Sequence, residues 1–201
     1  MTALLGVVLA GGKASRMGGG DKSLLPLAGR RVIDHVLERL QLQVSVLALN
    51  ANGDPTRFTE FGLPVVSDSV SEFPGPLAGV LAGLDWAAEQ GVDHILTVAA
   101  DTPFFPMDLR SRLEQARVLQ AKPIALATTQ ESGKLYRHPT FGLWPISLRD
   151  DLRQALATGM RKVVVWTDQH GAAETLFPSD GYDPFFNINT PEDLVKAEAM
   201  K

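Results

Sequence analysis

The chain has 201 residues, of which 45% are hydrophobic and 21% charged, and its formal net charge is −4. This length predicts a single domain over residues 1–201, and the absence of a basic run argues against a general nucleic-acid-binding protein. The sequence has no cysteine, no apolar run near 18 residues and no cationic leader; this excludes disulfides and cysteine chemistry, and predicts a cytoplasmic protein without membrane contact.

Hydrophobic periodicity predicts strands and helices that alternate along the chain. We expect strands at 4–8, 44–49, 64–67, 94–99, 124–128 and 141–144, and helices at 31–42, 76–90, 107–119, 147–157 and 190–200. Residues 160–169 fit either a short helix or a strand at 162–166. The alternation predicts an α/β fold, doubly wound with a mostly parallel, Rossmann-like sheet.

The loop after the first strand, Leu9–Lys22, carries five glycines and three cations. Glycine lets backbone N–H groups approach an anion closely, and Lys13, Arg16 and Lys22 supply the opposite charge. The loop therefore predicts a phosphate-binding site. A solvated surface loop is the alternative interpretation.

Two common phosphate loops do not match this spacing. A P-loop needs Gly-Lys-Ser/Thr, but Asp21 separates Gly20 from Lys22 and Ser23. The dinucleotide fingerprint that Gly18 would open needs a glycine at position 23, where Ser23 stands. Neither of these two common phosphate loops therefore accounts for residues 9–22.

Three polar residues, Asn50, Asp68 and Asp101, also follow predicted strands. Because ligands of doubly wound folds bind outside the carboxyl ends of the strands, we expect these residues to converge with the Leu9–Lys22 loop on one rim. A carboxylate after a buried strand needs a partner, and beside a phosphate-binding loop we favour Mg²⁺ at Asp101 over capping of the next segment. By themselves, Asn50 and Asp68 are equally typical of turns.

The loop reads Leu9-Ala10-Gly11-Gly12-x-x-x-Arg16-Met17-Gly18 and is followed by Asp21-Lys22. This pattern resembles the signature loop of the MobA-like nucleotidyltransferases, and the resemblance covers nearly the whole chain. The Gly-Gly pair, and asparagines at 187 and 189 where cytidylyl relatives carry aspartates, are more similar to the guanylyl branch. The chain departs from the family at Gly20, the third consecutive glycine.

The resemblance implies a triphosphate-binding loop for GTP, with Arg16, Lys22 and Asp101 as catalytic residues and Asp101 as the Mg²⁺ ligand. The implied nucleotide-binding residues are Leu9, Ala10, Gly11, Gly12, Lys22, Asn50, Asp68 and Asp101. The nucleotide part would span residues 1–105 and the acceptor part residues 106–201.

Acceptor binding is expected from three segments. A helix that begins at Gly75-Pro76 could hold an anion with its N-terminus. Two further segments, at residues 137–140 and 187–191, resemble the acceptor side of the family. Asn187 and Asn189 would lie on one face of a strand, and so address one ligand. The acceptor residues are then Gly75, Pro76, Leu77, Gly79, His138, Asn187 and Asn189. His138 is equally well explained as a structural hydrogen-bonding residue, and the two asparagines as strand-edge and N-cap residues.

The resemblance implies transfer of GMP from GTP to the terminal phosphate of a molybdopterin-type acceptor, with release of pyrophosphate. The acceptor phosphate is already an anion, so the reaction needs positioning and charge neutralisation rather than a general base. Partner proteins that insert molybdenum are implied too, and we expect a monomer. The alternatives are a transferase that uses CTP or another small phosphate acceptor, and a non-catalytic nucleotide-binding assembly factor.

Overall fold

The computed structural model describes residues 3–11, 21–70, 75–179 and 181–200. The strands are β1 (Leu5–Leu9), β2 (Pro26–Leu27), β3 (Arg30–Arg31), β4 (Val46–Asn50), β5 (Val65–Val66), β6 (His94–Ala99), β7 (Ile124–Glu131), β8 (Lys134–Pro145) and β9 (Ala172–Leu176). The helices are α1 (Val32–Gln41), α2 (Pro76–Ala88), α3 (Leu109–Leu119), α4 (Arg149–Ala157), α5 (Val163–His170) and α6 (Pro191–Ala199). Short 3₁₀ segments lie at Lys22–Leu24, Pro55–Phe61 and Ile146–Leu148.

Seven strands form one sheet in the order β5-β4-β1-β6-β8-β7-β9, in which β8 alone runs antiparallel to its neighbours, and β2 pairs with β3 separately. Successive residues of β1 point to opposite faces, so Val8 lies in the core under α1 and α3, and Val7 in the core under α2, α4 and α5. The doubly wound, mostly parallel α/β fold predicted from the sequence is confirmed. Within the described ranges, no helix has the length and apolar character needed to cross a bilayer.

Helix α2 lies close to the sheet because its buried face carries small residues. A Cβ added at Gly83 would lie 2.9 Å from Val7 Cγ2 and 3.0 Å from Ile95 Cδ1. One added at Gly79 would lie 2.3 Å from Asn50 Oδ1. Both distances are shorter than normal packing permits, so the close approach of α2 to the ends of β1 and β4 depends on these glycines.

The structure differs from the sequence prediction beyond β6. The strands expected at 124–128 and 141–144 belong to a longer hairpin, whose pairing extends to Glu131 and Lys134. The outer residues of this hairpin are exposed and carry no apolar alternation, which is why the sequence pattern stops short of them. Of the two interpretations of residues 160–169, the helix is correct, since α5 lies there. Strand β9, which pairs with β7, was not predicted.

Candidate active site

The carboxyl ends of β1, β4 and β6 lie side by side. Leu9 is paired with Asn50 on one side and with Ala99 on the other. The ladder continues one step further, since the Ala10 N–H donates to the Asn50 carbonyl at 2.8 Å and the Ala100 N–H donates to the Leu9 carbonyl at 3.1 Å. The strand ends therefore form one rim. Asn50 is the last residue of β4, while Gly11 and Asp101 lie two residues beyond the ends of β1 and β6.

Asn50 and Asp68, which the sequence placed at strand ends, are in direct contact. Asn50 is only 2% exposed, and its Nδ2 donates to Asp68 Oδ1 at 2.9 Å and to the Val66 carbonyl at 3.2 Å. Asn52 completes the arrangement: its Nδ2 donates to Asp68 Oδ2 at 2.7 Å and its Oδ1 accepts the Asp68 backbone N–H at 2.9 Å. Both oxygens of the Asp68 carboxylate are thus held.

Sequence reasoning missed Asn52, which stands in an Asn-Gly-Asp-Pro turn and is typical of such turns. A Cβ on Gly11 would lie 3.8 Å from both Asn50 Oδ1 and Asn52 Nδ2. The beginning of the Leu9–Lys22 loop therefore passes beside this group of amides. An asparagine two residues after a strand end is the only signal that could have identified it.

Lys22 and Asp101 lie at the other side of the rim, together with two asparagines. Lys22 Nζ donates to Asn189 Oδ1 at 2.9 Å, across 167 residues of sequence. Burial raises the pKa of the Asp101 carboxyl above its ordinary value, while the Lys22 ammonium and a hydrogen bond from Asn187 oppose that rise. The arrangement combines one partly buried carboxylate with one cation and two amides.

Ile188 explains how two asparagines from the far end of the chain reach this position. Its side chain is fully buried, and its backbone N–H donates to the Asp101 carbonyl at 2.9 Å. Ile188 belongs to a small apolar cluster whose buried residues are Leu27, Val32, Phe104, Ile188 and Ala197. The segment is irregular rather than a strand, so the predicted strand alternation of Asn187 and Asn189 is wrong. Asn187 and Asn189 reach the same location because the buried Ile188 between them anchors the segment.

The Asn189 side chain is available for Lys22 because its neighbour caps helix α6. Thr190 Oγ1 accepts the Asp193 N–H at 3.2 Å, and Asp193 Oδ2 accepts the N–H groups of Thr190 and Asn189, each at 3.1 Å. This reciprocal arrangement is a capping box. The N-cap chemistry expected for this segment therefore belongs to Thr190, and not to the Asn189 amide.

The predicted acceptor residues of helix α2 divide into two kinds. Gly75 and Pro76 are exposed at the N-terminus of the helix. Leu77 is 1% exposed and packs in the core, and Gly79 is covered by Asn50. The side chain of Leu77 thus faces the fold rather than the open rim, so any contact of Leu77 with an acceptor would come from its backbone, and its role stays a prediction.

His138 makes structural contacts. Its Nε2 lies 2.8 Å from Thr129 Oγ1, and its ring stacks on Phe185 with 4.4 Å between centroids. Burial lowers the pKa of the imidazole. These contacts agree with the structural interpretation of His138. They place its ring against Phe185, which precedes Asn187 by two residues.

Two predicted site residues, Gly12 and Arg16, lie outside the described residues, which omit 12–20. Within the described ranges, no three His, Cys, Asp or Glu side chains form a group that could hold a metal by themselves. Mg²⁺ commonly takes only one or two carboxylates and completes its shell with phosphate and water oxygens. Asp101 supplies one such carboxylate, beside the Lys22 ammonium, and so fits that donor set.

Replacing Gly79 by alanine is expected to weaken nucleotide binding as well as stability, because the added methyl would lie 2.3 Å from Asn50 Oδ1 and displace the amide that holds Asp68. Overpacking of this kind costs about 1–3 kcal/mol, partly offset by the better helix propensity of alanine. Gly83→Ala is the matched control, since it crowds Val7 and Ile95 but not Asn50. Urea denaturation and GTP calorimetry should show both variants destabilised, and only Gly79→Ala weakened in GTP binding; equal GTP affinities would contradict this account.

Comparison with known proteins agrees with this geometry. Residues 6–172 match the MobA-like NTP transferase domain family. A molybdenum cofactor guanylyltransferase of Rhodopseudomonas palustris (strain BisB5) is 53% identical over 197 residues, covering 96% of this chain and 92% of the relative. Another, from Mesorhizobium japonicum, is 50% identical and covers 98% and 95%. The crystal structure of molybdopterin-guanine dinucleotide biosynthesis protein A from Archaeoglobus fulgidus has the same fold, with a TM-score of 0.72 at 24% identity, covering 98% of this chain and 97% of that one.

Proposed function

The chain belongs to the MobA-like NTP transferase family, among its molybdenum cofactor guanylyltransferases, and we propose that it transfers GMP from GTP to the terminal phosphate of Mo-molybdopterin. The products are pyrophosphate and the molybdopterin guanine dinucleotide. The observation that carries the proposal is the contact of Lys22 and Asp101 with Asn189 and Asn187 at the carboxyl ends of the strands. It joins the two ends of the chain in one site.

We assign the nucleotide to the rim formed by β1 and β4. The backbone of Leu9–Gly11 and the paired side chains of Asn50 and Asp68 form its guanine and ribose side, supported by the hydrogen bonds described above. Gly12 and Arg16 belong to the same proposal through their place in the Leu9–Lys22 loop. The Lys22 ammonium, a compact point charge, suits an oxygen of the α-phosphate.

We further propose that Asp101 is the ligand of Mg²⁺. The ion would neutralise phosphate charge and favour departure of pyrophosphate. Lys22 opposes the rise in the pKa of Asp101 and so favours the ionised carboxylate that a metal requires.

Acceptor binding is assigned mainly to residues 106–201, and nucleotide binding to residues 1–105. Asn187 and Asn189 lie beside Asp101 and Lys22 on the acceptor side. Gly75 and Pro76, at the exposed N-terminus of helix α2, would contribute to acceptor binding from the nucleotide part. An acceptor phosphate oxygen attacks the α-phosphorus, the new P–O bond forms, and the bond to the β-phosphate breaks. The nucleophile is already ionised, so the residues bind and neutralise rather than remove a proton.

GTP, and not CTP, is expected to stabilise the protein against heat. A ligand at 100 times its Kd adds about 2.7 kcal/mol, which for a chain of this length corresponds to about 5–10 °C in Tm. Thermal shift with GTP, CTP and ATP at equal concentration measures this. Mass detection of the dinucleotide product, after incubation with GTP, Mg²⁺ and molybdopterin, then tests transfer.

The outcomes separate the candidate functions. Equal stabilisation by CTP would overturn the guanylyl assignment in favour of a related transferase. GTP binding without product would favour a nucleotide-binding assembly factor. A cytoplasmic monomer that receives its acceptor from molybdenum-inserting proteins remains part of the proposal.

A further inference from the structure

Arg57 is a residue that neither the sequence motifs nor the assigned nucleotide contacts include. It lies in the 3₁₀ segment Pro55–Phe61, and all three of its guanidinium nitrogens are engaged. Nε donates to Asp21 Oδ2 at 3.2 Å, one terminal nitrogen donates to the Asp54 carbonyl at 2.7 Å, and the other to the Asn52 carbonyl at 2.8 Å. The guanidinium carbon lies 4.7 Å from the centre of the Phe58 ring. These contacts restrain the side chain to one orientation.

One end of this arrangement holds the turn that carries Lys22. Asp21 Oδ1 accepts the Ser23 N–H at 3.1 Å and the Ser23 hydroxyl at 2.6 Å, which caps the 3₁₀ turn Lys22–Leu24. The other oxygen of Asp21 accepts from Arg57. Arg57 therefore fixes the position of the residue immediately before Lys22.

The other end holds the base side of the site. The Asn52 carbonyl accepts from Arg57, while the Asn52 side chain binds both the Asp68 carboxylate and the Asp68 N–H. A continuous series of hydrogen bonds thus runs from the Lys22 turn through Asp21, Arg57 and Asn52 to Asp68.

A role in stability alone does not account for a guanidinium that holds oxygens of three different residues. The side chains of Arg57 and Asp21 are 30% and 14% exposed, so the pair is partly buried and its loss would also cost some stability. What distinguishes arginine is its planar fork, which can hold three oxygens in a fixed relation, whereas a lysine ammonium is a single point.

We propose that Arg57 is a positioning residue that sets the spacing between the phosphate-binding and base-binding ends of the nucleotide site. This inference rests on the proposed function. A nucleoside triphosphate gains affinity when its two ends meet preformed partners at the correct separation, since the second contact then becomes intramolecular. Arg57 supplies that separation without touching the nucleotide itself.

The test compares whole and partial ligands. Calorimetry without acceptor measures binding of GTP, guanosine and inorganic tripolyphosphate to the wild type, Arg57→Ala and Arg57→Lys. We expect the affinity for GTP to fall about tenfold in both variants, and the affinities for guanosine and tripolyphosphate, each of which meets only one end of the site, to change less than about twofold. Arg57→Lys keeps the positive charge. A loss of GTP affinity in this variant would therefore show that spacing, and not electrostatic attraction, is responsible.

Asp21→Asn provides a second approach if Arg57→Ala folds poorly. It keeps an oxygen for Ser23 and removes the charge that faces Arg57, so we expect the same selective loss of GTP affinity. The double variant should add nothing further, because both changes break one connection. Arg30→Ala is the matched control: it removes an ion pair with Glu38 of 2.6 Å at an exposed site and should leave GTP affinity unchanged.

Each outcome has a defined meaning. If the wild type does not bind GTP, the proposed function fails. If the wild type binds GTP and Arg57→Ala binds it equally well, the positioning role is wrong. It is also wrong if guanosine or tripolyphosphate loses as much affinity as GTP, because that result would mean local disruption of one end.

Discussion

Replacing Lys22 by alanine is expected to lower kcat/KM for GTP-dependent pyrophosphate release by about 100-fold or more. Lys22 Nζ is held at 2.9 Å from Asn189 Oδ1 and opposes the rise in the pKa of Asp101. Loss of a preorganised group that neutralises developing charge typically costs about 10²–10³ in rate. The variant also removes the Lys22 charge that favours the ionised form of Asp101.

Two companion variants make this result interpretable. Lys22→Arg keeps the charge but replaces a compact ammonium by a planar fork, so we expect partial activity. Lys196→Ala removes a lysine whose side chain is 63% exposed on helix α6 and should leave kcat/KM unchanged. Full pyrophosphate release by Lys22→Ala, in the presence of loaded acceptor, would refute the assignment of Lys22.

Asp101→Asn is expected to abolish transfer and yet to stabilise the metal-free protein at neutral pH. Burial raises the pKa of the folded-state carboxyl above the value of 3.8 expected in the unfolded chain. The folded state therefore holds the proton more tightly. The contribution of Asp101 to the free energy of unfolding is therefore fully present below pH 3.8 and is lost as the pH rises through the folded-state pKa. Asparagine is neutral at every pH, so the variant does not lose this contribution as the pH rises.

Urea denaturation in the presence of a chelator, at several values between pH 4 and pH 7, measures this effect. The advantage of Asp101→Asn should grow with pH, and each 1 kcal/mol would raise Tm by about 2–4 °C. Asp150→Asn is the contrasting control, because the Arg149 guanidinium lowers the pKa of that exposed carboxyl, so its removal should not stabilise. An Asp101→Asn variant that is less stable than the wild type at pH 7, or that retains transfer, would contradict the account.

The sequence determined those features that depend on neighbouring residues. Strand β1 and helices α1 and α2 were predicted, and so were the strand ends that carry Asn50, Asp68 and Asp101. These features follow from side-chain periodicity and from polar residues directly after apolar runs, both of which act over a few residues. The convergence of the strand ends then follows from the parallel arrangement of the sheet.

Tertiary structure alone decided which distant residues complete the site. Asn189 meets Lys22 across 167 residues because Ile188 is buried against Phe104 and its neighbours. Asn52 and Arg57 join the site through contacts with Asp68 and Asp21. No local pattern specifies such pairs: a buried anchor and a set of hydrogen bonds select them, and these exist only after the helices have packed on the sheet. The loop Leu9–Lys22 identified the chemistry, while the packing of Ile188 determined which amides complete it.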